Sequence, residues 1–204
     1  MTVLQLQKPS YRSDETLSRT IELGRFIRSE EDFYQFCLDN DHLKIERNAD
    51  GTIKIMALTG GKTGEKNSEL NAELVFWKRK NGGRVFDSST GFRLENGATR
   101  SPDAAWIKEE RWSGLTSEQQ EKHPPIAPDF VVEVLASTSD IIDKEIKLND
   151  YESHGVKEYW IVQPEERMVL VYSLQNEIYI GLKPFAEGEV IKSPLFPDVK
   201  ILVD

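Results

Sequence analysis

Several features that define other classes of protein are scarce in this 204-residue chain. Its single cysteine, Cys37, excludes an internal disulfide and suits a reducing compartment. No apolar segment approaches the ~20 residues that a membrane helix needs, and the N-terminal residues lack the long apolar stretch of a secretory signal. The three histidines are scattered, with no pair at zinc-ligand spacing. We therefore expect a cytoplasmic protein without a zinc site.

Positive charge is also in short supply, because 26 Lys and Arg residues face 35 Asp and Glu residues, for a net charge of −9. This balance argues against a general nucleic-acid coat protein, which would be basic. It does not argue against a nuclease, since carboxylates that hold a divalent metal make their site acidic until the metal binds. The length suits a single core. We expect residues 1–28 to be a loosely held N-terminal extension and residues 29–204 to form one domain.

The first half of the domain reads as a helix, a hairpin and a second helix. Ser29 and the acidic residues after it predict a helix that ends near residue 40. The Asp50–Gly51 pair supplies the turn of a hairpin between two short strands. Leu70, Leu74 and Trp77 recur at helical spacing and predict a helix over about residues 66–81, after a glycine-rich loop that lacks the ending of a phosphate-binding P-loop.

The second half alternates strands with one further helix. The helix is expected at about residues 141–154, capped by the serine, threonine and aspartate residues of 137–140 and ended by Gly155. A polar, proline-containing loop with one short helical turn precedes the apolar strand at 130–135. The order of elements predicts an α/β (α+β) fold, with a mixed, twisted central β-sheet flanked by helices.

The apolar strand contains one carboxylate, Glu133, within the stretch "FVVEVL". A run that is apolar on both faces is typical of a central strand that is buried on both sides. A glutamate is almost never fully buried unless something pairs with it. Alternation places Glu133 on the face that carries Val131 and Leu135. The sequence therefore predicts a partner for Glu133 on that face.

A second carboxylate, Asp103, follows Pro102 at the start of an earlier strand and shares a face with Ala105. If the two strands are neighbours, Asp103 and Glu133 can lie a few ångströms apart on the same side of the sheet. Two carboxylates so close repel each other. A divalent cation removes the conflict by binding both, and Mg²⁺ prefers carboxylate oxygen and water as ligands.

A lysine beside such a cation could orient the water that attacks a phosphodiester, or balance the charge that develops. The strand itself has none, since Leu135 occupies the second position after Glu133. The following helix offers Lys144 and Lys147 on the face that carries Tyr151. Our hypothesis is that a metal ion and one of these lysines keep Glu133 charged inside the sheet.

Each of these residues also has an ordinary structural interpretation. An aspartate after Ser-Pro, as at Asp103, is typical of turns. A structural ion pair with Arg93 or Arg100 would account for Glu133 equally well. Lys147 would then be one more solvated lysine on a helix, which is the fate of most lysines. Spacing alone leaves both interpretations open.

Several stretches of the chain resemble the Uma-type putative restriction endonuclease family, which is common in cyanobacteria and was formerly catalogued as a domain of unknown function. These stretches are "TGGKTGEKNSELN", "FDSSTGFRLENGATRSPDAAWIKEERW", "PPIAPDFVVEVLASTSD" and "GVKEYWIVQP". The family belongs to the PD-(D/E)xK nuclease-like superfamily, and the resemblance covers roughly residues 30–204. It implies a restriction-endonuclease-like core and a metal-dependent phosphodiesterase site.

The resemblance also assigns residues to the superfamily motif. Asp103 matches the "PD" element and Glu133 matches the "(D/E)" element, whereas Leu135 stands where the motif has its lysine. In this family the lysine is displaced to the following helix, where Lys147 matches. Glu69 matches the carboxylate of the first core helix.

The implied function is that of a Mg²⁺- or Mn²⁺-dependent endonuclease that hydrolyses DNA with a metal-activated water. Asp103 and Glu133 would bind the metal, Lys147 would act on the water, and Glu69 would support the site. A homodimer would place two sites on the two strands of DNA. The alternative is a catalytically inactive module that keeps the nuclease fold and binds a protein or a nucleic acid.

Overall fold

A computed structural model describes residues 19–21, 27–56, 58–135, 141–191, 193–196 and 201–202. The helices in these segments are α1 (Glu30–Asp39), α2 (Gly61–Asn81), α3 (Glu109–Ser113), α4 (Ser117–Glu121) and α5 (Ile141–Ser153). The first seven strands are β1 (Arg19–Ile21), β2 (Lys44–Arg47), β3 (Ile53–Met56), β4 (Arg84–Asp87), β5 (Phe92–Arg93), β6 (Thr99–Arg100) and β7 (Ala104–Ile107). The later strands are β8 (Phe130–Val134), β9 (Glu158–Gln163), β10 (Met168–Gln175), β11 (Ile178–Gly181), β12 (Phe185–Ala186), β13 (Val190–Ile191) and β14 (Ile201–Leu202).

The larger sheet is mixed and has the strand order β11-β10-β9-β8-β7-β4, with β12 paired to β10. Strands β8 and β9 run parallel, whereas β7 runs antiparallel to β8. Every residue of β8 is buried, and the strand has neighbours on both sides. The predicted fold class, including a central strand covered on both faces, is confirmed.

Two helices cover opposite faces of this sheet. Val132 and Val134 of β8 pack in one apolar cluster with Leu74 of α2, and Val131 packs in another with Tyr151 of α5. Successive residues of a strand point to opposite faces, so Glu133 shares the face of Val131. The carboxylate is therefore directed to the side of the sheet on which α5 lies.

The predicted hairpin is confirmed as β2 and β3, with Gly51 of the turn at a φ of 87°. The hairpin does not extend the larger sheet. It lies in a second sheet of order β1-β3-β2-β6-β5, in which β1 pairs with β3. Lys44 and Glu46 alternate with Ile45 along β2, and Lys54 lies opposite Glu46 in the register. One face of the hairpin thus carries three charged side chains, all at least partly buried.

Several helix boundaries agree with the predictions, and others differ. Helix α1 has the predicted Ser29 cap, and α2 ends at Asn81 before two glycines at positive φ. However, α2 begins at Gly61, so most of the predicted glycine-rich loop is helical. Cooperative extension of a 21-residue helix outweighs the cost of about 1 kcal/mol per glycine. The polar loop before β8 has two short helices, α3 and α4, rather than one turn.

The predicted cap at residues 137–140 and most of the predicted N-terminal extension lie outside the described residues. In the described segments, no helix has both the length and the apolar character that a membrane crossing requires.

Candidate active site

The ends of two neighbouring strands bring Asp103 and Glu133 together. Strands β7 and β8 pair with Ala104 opposite Val132, so the next step of the same register places Asp103 opposite Glu133. Oδ2 of Asp103 accepts a 2.8 Å hydrogen bond from the backbone N–H of Val134. This bond holds the Asp103 carboxylate against β8, the strand that carries Glu133.

Glu133 has two partners on α5, Lys147 and Tyr151. Nζ of Lys147 and the hydroxyl of Tyr151 each donate a 2.9 Å hydrogen bond to Oε1 of Glu133. Residues four apart lie one above the other on a helix, which explains why both reach one oxygen. Lys147 rather than Lys144 is thus the lysine of α5 that contacts Glu133.

Asp103 has its own lysine, which the sequence did not indicate. Nζ of Lys44 in β2 lies 3.1 Å from Oδ1 of Asp103, and the two side chains are 26% and 14% exposed. Lys44 comes from the second sheet, 59 residues before Asp103. Each of the two candidate metal ligands therefore contacts a different ammonium group.

A third carboxylate, that of Glu46, lies next to these pairs and is fully buried. Oε1 of Glu46 lies 3.2 Å from Nζ of Lys147 and accepts a 2.9 Å hydrogen bond from the backbone N–H of Ser101. Burial alone would raise the pKa of Glu46, but the charges of Lys147 and Arg100 outweigh it and hold the pKa at about 2. Glu46 therefore stays charged and ties Lys147 to the segment that leads into Asp103.

Arg100 anchors α5 to the second sheet. Its Nε and Nη2 donate hydrogen bonds of 2.8 and 2.6 Å to Oδ2 of Asp150 in α5. Its Nη1 lies 3.6 Å from Oε2 of Glu46. Arg100, one of the two arginines that the sequence offered as an ordinary partner for Glu133, thus pairs with Asp150 instead.

These ion pairs form one charge cluster with four carboxylates and three cations. Its members are Lys44, Glu46, Arg100, Asp103, Glu133, Lys147 and Asp150. With all seven groups ionised, the charge cluster has a net charge of −1. Burial raises the pKa of Glu133, Lys147 lowers it, and the nearby Asp103 and Glu46 raise it, with a net result of about 7. Glu133 is therefore the carboxylate on which the unbalanced charge is least stable.

Comparison with known proteins identifies the family of this chain. The family model of Uma2, described as "Putative restriction endonuclease", matches residues 30–204. The chain belongs to this family. The resemblance seen in the sequence is therefore confirmed.

A solved relative of this Uma2 protein supports the fold. It is the crystal structure of a putative nuclease belonging to DUF820 from Anabaena variabilis ATCC 29413. The two chains are 21% identical, and the match has a TM-score of 0.64 and covers 78% of this chain and 87% of the other. No curated protein matches the chain. At this identity the likeness shows a common fold, and the chemistry must be argued from the site.

The charge cluster of this Uma2 protein suits a hydrated divalent cation better than a site made of protein ligands alone. Within the described segments, no group of three or more His, Cys, Asp or Glu side chains could hold a metal ion. Mg²⁺ needs only one or two carboxylates, because it keeps several waters. Asp103 and Glu133 supply such a pair, and the excess negative charge beside Glu133 favours a cation there. The residues present therefore fit the ion that the resemblance implied.

Within the described residues, no hydrogen bond or ion pair joins Glu69 to the charge cluster. Its side chain on α2 is 56% exposed and forms a 3.1 Å ion pair with Lys66. Two residues further along, Nδ2 of Asn71 donates a 3.1 Å hydrogen bond to the backbone oxygen of Asp103. The contact of α2 with the Asp103 backbone is thus made by an amide that the sequence did not single out.

Sequence reasoning also missed Lys44 and Glu46. They are charged residues at alternate positions of a short strand, and they surround the apolar Ile45. A charged face opposite an apolar face is normally solvated, which is why the pattern gave no warning. Lys54 on the same face is also buried and pairs with Asp143 of α5 at 2.7 Å. Glu46 and Lys54 are buried and pair with Lys147 and Asp143, so this hairpin face forms a polar interface with α5.

Proposed function

We propose that this Uma2 protein is a Mg²⁺- or Mn²⁺-dependent endonuclease that hydrolyses phosphodiester bonds in DNA. The observation that carries the proposal is the position of Asp103, directly before β7, opposite Glu133 of β8, with the Lys147 ammonium at Glu133. Membership of a family described as a restriction endonuclease supports DNA as the substrate. We also propose a cytoplasmic location for the protein.

In this proposal each residue of the candidate active site has its own role. Asp103 and Glu133 would hold the divalent cation, which would supply a bound water of lowered pKa and positive charge near the phosphoryl oxygens. Lys147 would lower the pKa of Glu133 and act on the attacking water. Although burial alone would lower the pKa of Lys147, the charges of Glu133 and Glu46 raise it well above its usual value, so the ammonium stays protonated.

Glu69 enters the proposal as a supporting carboxylate that acts from outside the charge cluster. Its side chain is exposed and pairs with Lys66, so it can reach a bound substrate or a water molecule in the outer coordination shell of the metal. We also propose a homodimer, because a single metal site cleaves one strand and two copies are needed to cut both strands in one encounter. Light scattering after gel filtration measures the molar mass in solution and so distinguishes a dimer from a monomer.

The experiment that tests the proposed function is a plasmid assay. The purified chain is incubated with supercoiled plasmid in Mg²⁺, in Mn²⁺ and in EDTA, beside the variant Asp103→Asn, which keeps the size of the side chain but removes its charge. We expect nicked and linear plasmid with either metal, and none with EDTA or with the variant. Cleavage that survives both EDTA and Asp103→Asn would contradict a metal site at these residues.

One observation favours the alternative of a binding module that keeps the nuclease fold without activity. Asp103 and Glu133 each contact a lysine ammonium, which partly balances their charge without any metal. Calorimetric titration with Mn²⁺ separates the two functions, since the nuclease must bind the ion through Asp103. Absence of both binding and cleavage would favour the module.

A further inference from the structure

We propose that Lys44 is a second lysine of the active site, which neutralises Asp103 before the cation binds and contacts the DNA phosphate afterwards. The proposal rests on the proposed endonuclease function and goes beyond it by giving a role to the hairpin of the second sheet. Its basis is the 3.1 Å contact between Nζ of Lys44 and Oδ1 of Asp103.

The two lysines of the charge cluster differ in how freely they can move. Lys147 is 5% exposed and lies between Glu133 and Glu46, at 2.9 and 3.2 Å. Two buried carboxylates hold its ammonium, and its release would leave both without this partner. Lys44 is 26% exposed and forms its ion pair with Asp103 at the edge of the cluster. Lys44 is therefore the one that can exchange partners at low cost.

A divalent cation on Asp103 would force that exchange. The ammonium of Lys44 already lies at hydrogen-bond distance from a carboxylate oxygen that the ion needs, and two cations so close repel each other. The charge of Lys44 also lowers the pKa of both Glu133 and Glu46, which places it near the whole carboxylate group. A lysine on a flexible four-carbon stem binds phosphate as a point charge. A DNA phosphate bound beside the metal would give the displaced ammonium a new anionic partner in place of Asp103.

The first test is a calorimetric titration with Mn²⁺ of the wild type and of Lys44→Met. Removal of the competing ammonium leaves the charge cluster with two excess negative charges, so we expect the variant to bind Mn²⁺ about threefold to tenfold more tightly. Lys44→Arg keeps the charge and should bind Mn²⁺ as the wild type does. Unchanged or weaker binding by Lys44→Met overturns the proposal.

Lys54 provides a matched control on the same face of the hairpin. Its ammonium pairs with Asp143 rather than with a candidate metal ligand. Lys54→Met removes one positive charge from the hairpin, and we expect its Mn²⁺ affinity to stay within about twofold of the wild type. An equal gain in Lys54→Met and Lys44→Met would show a general charge effect and overturn the specific exchange at Asp103.

The second test concerns the phosphate contact. Duplex DNA is titrated in Ca²⁺ instead of Mg²⁺ at several salt concentrations, and the slope of log affinity against log salt is compared between wild type and Lys44→Met. Loss of one phosphate contact should reduce the magnitude of the slope by about 1. An unchanged slope overturns the phosphate role. Lys44→Gln replaces the methionine variant in both tests if that variant does not fold.

The two proposals fail in distinguishable ways. A wild-type chain that binds no Mn²⁺ and cuts no DNA overturns the endonuclease function, and the role of Lys44 with it. A wild type that binds Mn²⁺ and cuts DNA, beside a Lys44→Met variant with the same Mn²⁺ affinity and the same salt slope, overturns the role of Lys44 alone.

Discussion

Lys147 and Glu133 form a buried ion pair that joins α5 to the central strand β8. The ammonium lies 2.9 Å from Oε1, and the two side chains are only 5% and 6% exposed. Removal of one member would leave the other charged and without its main partner in a region of low dielectric, which is far more costly than loss of an exposed pair. The pair explains how a carboxylate can occupy the middle of a strand that is buried on both faces.

Replacement of Lys147 by methionine removes the ammonium but keeps an unbranched side chain. Glu133 and Glu46 both lose their contact with it, so we expect the free energy of unfolding to fall by about 3–5 kcal/mol. Plasmid cleavage should fall strongly, whereas Mn²⁺ binding should persist, because an ammonium does not ligate a cation. Urea titration, calorimetry and the plasmid assay measure the three effects.

Lys144→Met is the matched control for that variant. Lys144 lies on the same helix and is partly buried, and its expected change in unfolding free energy is within about 0.5 kcal/mol. If Lys144→Met loses cleavage and Lys147→Met retains it, the catalytic role belongs one turn earlier on α5.

Glu133→Gln should fold and yet bind Mn²⁺ poorly. The amide keeps the shape of the side chain and can still accept from Lys147 and Tyr151, while loss of one charge leaves the charge cluster neutral. We therefore expect a melting temperature close to that of the wild type and a Mn²⁺ affinity at least about tenfold lower. If the variant unfolds, or if it binds Mn²⁺ normally, Glu133 serves the fold rather than the metal.

The stability of the metal-free chain should depend on pH through Glu46 and Glu133 in opposite directions. The pKa of Glu46 is lowered from 4.5 to about 2, so its contribution is present above pH 4.5 and is lost as the pH falls toward 2. The pKa of Glu133 is raised from 4.5 to about 7, so its contribution is present below pH 4.5 and is lost as the pH rises through 7. Melting curves in EDTA should show the second loss in the wild type and lack it in Glu133→Gln.

Glu69→Gln tests the one proposed residue that lies outside the charge cluster. Its side chain is more than half exposed, so we expect a change in unfolding free energy within about 0.5 kcal/mol and an unchanged affinity for Mn²⁺. Cleavage should fall if Glu69 supports the reaction. A variant that cuts plasmid at the wild-type rate would remove Glu69 from the catalytic set.

The contact of Asn71 with Asp103 is a feature of α2 that periodicity in the sequence could not predict. The stripe of Leu70, Leu74 and Trp77, from which the helix was predicted, packs on the sheet. Which polar residue beside that stripe reaches the site depends on how the helix is rotated and placed over β7. The resemblance selected Glu69, whereas packing directs Asn71 to the Asp103 backbone.

The sequence by itself determined the features that follow from local pattern. The apolar run around Glu133 required a central strand and a partner for the carboxylate. The four-residue spacing of Lys147 and Tyr151 placed both on one helical face, and alternation gave Asp103 and Glu133 a matching phase. These inferences held because the periods of helices and strands are fixed by backbone geometry, whatever the rest of the chain does.

Only the tertiary structure decided which charges surround that carboxylate pair. Lys44 and Glu46 come from a hairpin in the second sheet, 59 residues before Asp103 and 55 residues before Ser101. Their alternation with Ile45 would look the same on a solvated strand. Their burial results from the packing of the second sheet against α5 and the segment before β7. That packing is a long-range contact between elements, and local periodicity carries no information about it.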